Sequence, residues 1–224
     1  FVPRNLQRSE PATFGQQLAV LAQPRLLLVY AITALGYGGT FLSFTYLASI
    51  LQDVTGFSAN AVSGVLLVYG VSVAIGNLWG GRLADRRGPI PALKLIFGLL
   101  ALVLFALTFT AYNTWLVLLT VLALGAVAFG NVPGLQVYVV KQAQRFAPQA
   151  ADVASGLNIA AFNVGIAMGA SLGGLVVDHL GLMHTPWIGA LVVLGALGLT
   201  VLSGRLDRRD GVAERAEGIA VAAH

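Results

Sequence analysis

Six apolar stretches, each long enough to cross a bilayer and almost free of charged residues, determine what this chain can fold into. A hydrocarbon core about 30 Å thick requires about 20 apolar residues of helix. Charged residues make up 10% of the 224 residues, whereas an ordinary soluble domain carries about 25%. Because lipid offers backbone polar groups no partner, each stretch should be helical. The sequence therefore predicts an all-α membrane protein with six transmembrane helices, at about 26–51, 58–83, 92–112, 114–140, 153–177 and 186–206.

The flanking segments are more polar than the six helices. We expect residues 1–24 to be a cytoplasmic linker, 25–206 to be the transmembrane domain, and 207–224 to be a cytoplasmic tail of mixed charge. The chain opens on Phe1 rather than Met, which leads us to expect that further sequence precedes it.

The distribution of Lys and Arg predicts the orientation in the membrane. With six crossings, all 13 basic residues fall on the side of the N-terminus, whereas Asp53 and Asp178 fall on the other side. Cytoplasmic loops collect basic residues, so both termini should be cytoplasmic, in the cell (inner) membrane. The net charge of +4 is thereby explained as a topology signal, and no nucleic-acid partner is expected. The absence of cysteine excludes disulfides, Cys-ligated zinc and thiol nucleophiles.

The ends of the second and fifth helices share a pattern at an offset of 93 residues. The two helices run in opposite directions, so the matched segments lie on opposite membrane faces. A three-plus-three inverted repeat of this kind is the architecture of secondary transporters, although chance agreement between two Gly-rich helices is the alternative. The matched residues are Gly76, Gly80, Gly81, Asp85 and Gly88 against Gly169, Gly173, Gly174, Asp178 and Gly181.

The string GRLADRRG from Gly81 to Gly88 resembles the cytoplasmic loop signature of the major facilitator superfamily, G-x-L-A-D-R-x-G-R-[RK]. Pro89 and Ile90 depart from the basic pair that usually closes it. The fifth helix is similar to the eleventh helix of sugar-efflux and drug-efflux permeases in that superfamily. The resemblance implies that Gly81, Asp85, Arg86 and Gly88 form a gating loop that stabilises the outward-open state.

A full member of that family has twelve helices, so the chain resembles its C-terminal six-helix half. The resemblance implies an efflux transporter for a small organic solute, sugar or drug-like, that works by alternating access and proton antiport. It implies three partners, which are the lipid bilayer, the solute and the N-terminal half of the same transporter. No cofactor and no enzyme activity are expected.

Polar and aromatic side chains suggest which helices line a solute pathway. In the first helix Tyr30, Thr33, Tyr37, Thr40 and Phe44 recur at steps of three and four, which places them on one face. Interhelical packing is an equally good explanation of this stripe. Three asparagines are further candidates, and two of them, five positions apart on the fifth helix, cannot both face one cavity. These are Asn131, Asn158 and Asn163.

Two groups of small residues predict bending and close packing. Pro133 and Gly134, deep in the fourth helix, predict a kink, because proline removes a backbone hydrogen bond. We interpret the kink as a hinge that lines the pathway, with a merely structural kink as the alternative. Gly165, Gly169 and Gly173 follow at steps of four on the fifth helix and predict a close-packing face, with a flexible gate as the second interpretation. The third and sixth helices are the most uniformly apolar and are expected against lipid.

Several kinds of chemistry are disfavoured. No ionisable side chain other than tyrosine lies well inside a helix, so a proton-coupling acid is expected in the other half. The G-x-S-x-G pattern at 169–173 lies within a helix and is not read as a nucleophile elbow. Asp178, His179 and His184 are read as a solvated loop rather than a metal site. The rival hypotheses are a stand-alone six-helix carrier acting as a homodimer, a non-transporting scaffold and an intramembrane hydrolase.

Overall fold

Six long apolar helical segments, called the first to sixth span, make up the protein in its computed structural model. The structure describes residue 20 and residues 22–222, with side chains up to residue 211. All regular structure in these residues is helical, which confirms the predicted fold class. The predicted linker 1–24 lies mostly outside the described residues. The spans are Pro24–Val54, Ala59–Arg87, Pro89–Thr110, Thr114–Phe146, Pro148–His179 and His184–Gly211.

The first and fourth spans are each built from more than one helical segment. The first begins as helix α1 and is interrupted at residues 45–46 before a short α2 and a π-helical turn. The fourth is interrupted at residues 129–130, between α5 and α6. The bounds are α1 Pro24–Phe44, α2 Leu47–Ser49, the π turn Ile50–Val54, α3 Ala59–Arg87, α4 Pro89–Thr110, α5 Thr114–Ala128, α6 Asn131–Phe146, the 3-10 turn Pro148–Ala150, α7 Ala151–His179 and α8 His184–Ala222.

Local sequence explains where helices begin and how they connect. Asn113 caps α5, because its Oδ1 accepts the backbone N–H groups of Trp115 and Leu116 at 3.0 and 3.1 Å. A single residue, Gly88, joins the second span to the third with a φ of +80°. At an offset of 93 residues, Gly181 has a φ of +101° after the fifth span. Both turns use the left-handed region that glycine adopts without strain.

The packing of the spans follows the inverted repeat. The first span packs on the fifth and sixth, the fourth packs on the second and third, and the third and sixth pack on each other. If the first, second and third spans are exchanged with the fourth, fifth and sixth in turn, the same set of neighbours results. Two inverted three-helix units packed in this way form one half of a twelve-helix fold.

Burial separates the spans into central and peripheral ones. The window of highest hydropathy is 61% buried in the first span but only 17% and 22% buried in the second and fifth. The third and sixth spans differ from the expectation that they face lipid, because each also buries one face. Phe97, Leu100 and Leu104 of the third span are fully buried, whereas Leu102 and Phe105 are exposed. Uniform apolar composition conceals this division, since core and lipid accept the same residues.

The last helix is longer than the sequence analysis predicts. Instead of ending near Leu206 before a tail, α8 continues to Ala222. The added segment contains alanine, glutamate and arginine and no proline, all of which favours continuation of a helix. The predicted tail 207–224 is therefore helical up to residue 222, and its last two residues lie outside the described part.

Candidate gate and solute pathway

A close backbone contact, which we call the second–fourth seam, joins the spans that surround the predicted gate. A Cβ placed on Gly76 would lie 2.1 Å from the carbonyl oxygen of Ala126, and one on Gly80 would lie 1.9 Å from that of Gly130. One turn earlier, the Ser72 hydroxyl donates to the carbonyl oxygen of Leu122 at 2.7 Å. Only glycine permits the contacts at positions 76 and 80, because any side chain there would displace the facing backbone.

The fifth span lies on the first through an equivalent contact, the first–fifth seam. A Cβ on Gly165, Gly169 or Gly173 would lie 2.5, 2.3 or 2.6 Å from the carbonyl oxygen of Ala34, Gly38 or Leu42 respectively. The three glycines lie 93 residues after Ser72, Gly76 and Gly80 of the second span. The three carbonyls that face them lie 88 residues before those of Leu122, Ala126 and Gly130 in the fourth span. The three predicted packing glycines thus contact backbone at all three levels of this seam. Their role as a flexible gate stays a prediction.

The predicted gating loop follows directly on the second–fourth seam. Its Gly81 faces Pro133, and a Cβ there would lie 3.7 Å from the Pro133 Cβ. Asp85 and Arg86 are exposed at the end of α3, and Gly88 forms the turn. Within the described residues Asp85 accepts no hydrogen bond and forms no ion pair. Its carboxylate is free to meet a group beyond this bundle.

The fourth span is interrupted one turn ahead of Pro133. Proline has no N–H to donate to the Phe129 carbonyl, which instead accepts the Val132 N–H at 3.3 Å. The fully buried Asn131 donates its side-chain amide to the Ala128 carbonyl at 3.2 Å and so satisfies one carbonyl at the end of α5. The side of α6 at Gly134 packs on Leu93 of the third span. Because Gly130 in the break contacts Gly80, the break lies against the turn of the second span that leads into the gating loop.

Part of the aromatic stripe of the first span lies in a cluster that joins four spans. The Tyr37 ring packs edge-on against Phe162 with centroids 4.5 Å apart and against Phe129 at 6.0 Å. Phe44 stacks on Tyr69 at 5.1 Å. With Phe41, which lies between Tyr37 and Phe44, these residues form the aromatic cluster.

The other members of the stripe lie apart from this cluster. Thr40 is buried and donates to the carbonyl of Gly36 in its own helix at 2.7 Å. Tyr30 is half-buried two turns away towards the start of the span. Phe41, Tyr69, Phe129 and Phe162 were not predicted from the sequence, although Phe129 stands two residues before the candidate Asn131.

A polar network joins the first, fourth and fifth spans, and it meets the first span one turn before Tyr37. Thr33 donates to Oδ1 of Asn158 at 2.7 Å, and the Asn158 amide donates to Oε1 of Gln136 at 2.9 Å. Gln136 donates in turn to the Ser155 hydroxyl at 2.5 Å. Asn158 is fully buried, whereas Asn163 is exposed and bonds only the Ile159 carbonyl of its own helix. As predicted from their spacing, the two asparagines face different surroundings.

Gln136, which the sequence analysis missed, connects this network to an open groove. The groove has a volume of about 480 Å³ and runs along one side of α6. A polar amide three residues after a proline in an apolar run was the signal that could have identified it. The residues that line the groove are Pro133, Gln136, Val137, Val140, Lys141 and Gln144.

Two sequence patterns that could suggest bond chemistry are not assembled into a site in the part of the chain that the structure describes. In residues 20 and 22–211, no three acidic or histidine side chains come together as metal ligands would. Ser171, at the centre of the G-x-S-x-G pattern, lies exposed within the continuous helix α7. What the bundle does offer is a pair of matched seams, a broken helix, aromatic faces and amide groups.

These features define a multi-pass helical membrane protein built as an inverted repeat. The sequence model described as Major Facilitator Superfamily matches residues 2–151. The chain belongs to this family.

Relatives agree with this assignment. The chain is 54% identical over 209 residues to the uncharacterized MFS-type transporter YtbD of Bacillus subtilis (strain 168), covering 93% of this chain and 52% of that protein. It is 38% identical over 193 residues to the inner membrane transport protein YdhP of Escherichia coli (strain K12), covering 85% and 48%. A probable sugar efflux transporter of Pasteurella multocida (strain Pm70) is 31% identical over 180 residues, covering 80% and 43%. The chain spans about half the length of these curated relatives.

Proposed function

We propose that this chain is the C-terminal half of a secondary active transporter that exports a small organic solute, sugar or drug-like, by alternating access with proton antiport. The observation that carries the proposal is that the fourth span is broken where the second–fourth seam meets the gating loop, whereas the first span is broken one turn beyond the last backbone contact of the first–fifth seam. A scaffold would have no use for a break that lies directly against a loop with an unpaired acid.

The composition of the pathway supports an amphipathic solute. The aromatic cluster offers apolar ring faces, and Gln136 offers an amide beside the groove on α6. Rings and amides together suit a molecule with apolar faces and several hydroxyl or amino groups. The similarity to a probable sugar efflux transporter supports the same solute class and the direction of export.

The exposed faces of the second and fifth spans support a second six-helix unit as the partner. These spans leave Leu67, Val71, Leu78, Val164 and Leu175 between 51 and 75% exposed. Polar and small residues such as Ser63, Gly156 and Asn163 interrupt the faces, which suits packing against helices better than contact with lipid alone. Because the relatives are about twice as long as this chain, we assign the N-terminal half of the same transporter to these faces, with a second copy of this chain as the alternative.

Orientation and coupling complete the proposal. The basic residues from Arg25 to Arg209 all lie at one end of the bundle, which we call the basic end, so we place that end and both termini in the cytoplasm and the protein in the inner membrane. Since Tyr is the only ionisable type in the middle of the spans, we assign the proton-coupling acid to the other half.

Flux into vesicles tests the function. The full-length protein would be reconstituted with an imposed pH gradient and offered a panel of labelled sugars and drug-like compounds. We expect at least one solute to move faster than in protein-free vesicles and only while the gradient lasts. Equal flux with and without protein across the panel would contradict transport. Flux that does not depend on the gradient would contradict proton antiport but not transport itself.

Cysteine labelling tests the orientation. This chain contains no cysteine, so Asp53→Cys and Arg87→Cys can be labelled singly in full-length protein freed of any other cysteine. An impermeant reagent outside the cell should reach the first and not the second. Labelling of Arg87→Cys from outside would overturn the proposed orientation.

A further inference from the structure

The added turns of the sixth span place Asp207 against the fourth span at the basic end. One carboxylate oxygen of Asp207 accepts the Tyr138 hydroxyl at 2.8 Å, and the other accepts the Gln142 amide at 2.9 Å. The Tyr138 hydroxyl also lies 2.6 Å from the Ser203 hydroxyl. Tyr138 and Gln142 are 2% and 5% exposed, so these bonds are shielded from water. Bonds to an ionised acceptor are stronger than neutral ones.

One turn further along, Asp210 joins the first span to the same cluster. It forms an ion pair with Arg25 at the start of the first span and lies 4.0 Å from the Arg145 guanidinium of the fourth span. Both guanidinium groups also lie over the Phe146 ring, at 5.9 and 5.2 Å from its centroid. The two aspartates of the sixth span thus tie together the basic ends of the first and fourth spans.

The opposite end of the bundle is connected differently. There the Thr55 hydroxyl donates to the Ala111 carbonyl at 2.7 Å, and the Thr120 hydroxyl donates to the Thr110 hydroxyl at 2.9 Å. These bonds are neutral. The breaks at 45–46 and 129–130 separate this end from the aspartate cluster in both spans. We call the segments beyond the breaks, 47–54 and 114–128, the far arms.

We propose that Asp207 and Asp210 are positioning residues that hold the basic ends of the first, fourth and sixth spans as one rigid unit and confine movement within this chain to the far arms. Breaks in a helix are where backbone angles change during hinge motion, and the charged bonds lie on one side of both breaks. The part that this unit plays in transport rests on the proposed function, but its rigidity can be measured without a solute.

Two matched reporters on the fourth span test the proposal. Val117 and Ala143 are both 0% exposed, and each lies three residues from an end of the span. Each would be replaced singly by cysteine in otherwise cysteine-free full-length protein, held in phosphatidylethanolamine and phosphatidylglycerol vesicles. The rate of labelling by N-ethylmaleimide then reports how often each site opens. We expect the Val117→Cys site to label faster than the Ala143→Cys site.

Removing the two charges should change only the second reporter. Asp207→Asn with Asp210→Asn should raise labelling at position 143 by roughly tenfold, the factor that corresponds to about 1.4 kcal/mol, and should leave position 117 unchanged. Tyr138→Phe, which removes a single hydroxyl, serves where the double variant does not insert and should give a smaller rise at position 143. Asp178→Asn, an exposed acid at the opposite end, is the matched control and should change neither rate.

The outcomes separate this proposal from the proposed function. Equal labelling of the two reporters in the unaltered protein, an unchanged rate at position 143 in the double variant, or an equal rise at both positions would overturn the rigid unit. A protein that transports nothing in the vesicle panel could still show the expected labelling difference, so a failure of one proposal is distinguishable from a failure of the other.

Discussion

The two seams of the bundle have the same packing but different surroundings. The fifth span lies on the first as the second lies on the fourth, with contacts at three matched levels in each seam. At the second–fourth seam the last level falls on Gly130, where the fourth span is broken, and the gating loop begins at the next residue, Gly81. At the first–fifth seam the equivalent backbone contact falls on Leu42, still within helix α1, and the break at 45–46 follows one turn later, where the Tyr46 ring also faces Gly173.

This difference shows which features belong to the scaffold and which belong to the gate. Backbone contact through glycine is repeated, so it is a requirement of the fold. Among the described residues, a break that coincides with a backbone contact of its seam occurs only in the fourth span, where it precedes the Asp85 loop, so these are the features that one end needs and the other does not. Substitutions at matched positions can therefore separate stability from transport.

The seam glycines should show the largest effect on stability, and the effect should be alike in both seams. Gly76→Ala and Gly169→Ala each place a Cβ within 2.3 Å of a carbonyl oxygen, and such overpacking costs about 1–3 kcal/mol. Thermal unfolding of the purified full-length protein measures the loss. Gly64→Ala and Gly156→Ala are the controls on the same two helices, because nothing lies within 4 Å of a Cβ there. Equal stability of all four variants would contradict the seams.

The two asparagines of the fifth span should differ in stability. Asn158→Ala removes the bonds to Thr33 and Gln136 from a buried site, and interhelical bonds in membranes contribute roughly 1 kcal/mol each. Asn163→Ala removes only a bond within its own helix and should cost far less. Unfolding of the two variants under identical conditions makes the comparison. A loss at Asn163 as large as that at Asn158 would show that the network is not a stabilising junction.

The matched turn glycines should lose similar stability but differ in transport. Gly88→Ala and Gly181→Ala each put a side chain at positive φ, and backbone conformations that non-glycine residues rarely adopt cost roughly 1–3 kcal/mol. Only Gly88 belongs to the predicted gating loop, so only its variant should lower the flux per folded protein. Equal loss of flux in both variants would mean that the loop has no special role.

Pro133 should show the smallest change in stability and a distinct change in transport. Pro133→Ala restores an N–H that can bond the Phe129 carbonyl and close the break, a gain of about 0.5–1.5 kcal/mol. A straighter fourth span should then slow transport. Pro186→Ala is the control, since Pro186 is likewise the third residue of its helix but follows no break. Unchanged flux in Pro133→Ala would support a merely structural kink.

The sequence alone predicts the six spans and the glycine side of the first–fifth seam, because apolar runs and glycines at steps of four are visible in the letters. The facing side of each seam could not be predicted. Its contacts are made by backbone carbonyls of residues such as Ala34 and Leu122, and every residue type supplies a carbonyl. For the same reason the 88-residue relation between the first and fourth spans has no signature in the side chains.

The candidate site was predictable only in part. Tyr37 and Phe44 were found from their spacing, whereas Tyr69 and Phe162 come from other spans and meet them only through tertiary packing. The break in the fourth span is one turn earlier than its proline, because the carbonyl that Pro133 cannot bond belongs to the residue four positions before, Phe129. The aspartate cluster depends on helical continuation beyond Leu206, which the polar composition of the segment concealed.

If a repeated scaffold carries a single gate, the matched acids Asp85 and Asp178 should differ in their effect on transport. Asp85→Asn and Asp178→Asn would be compared in the full-length protein by flux of a solute that the vesicle panel identifies. We expect Asp85→Asn to lower the flux roughly tenfold, which corresponds to about 1.4 kcal/mol and lies within the range typical of coupling between sites, while Asp178→Asn should leave the flux unchanged. Equal flux in the two variants, or a loss confined to Asp178→Asn, would contradict the account.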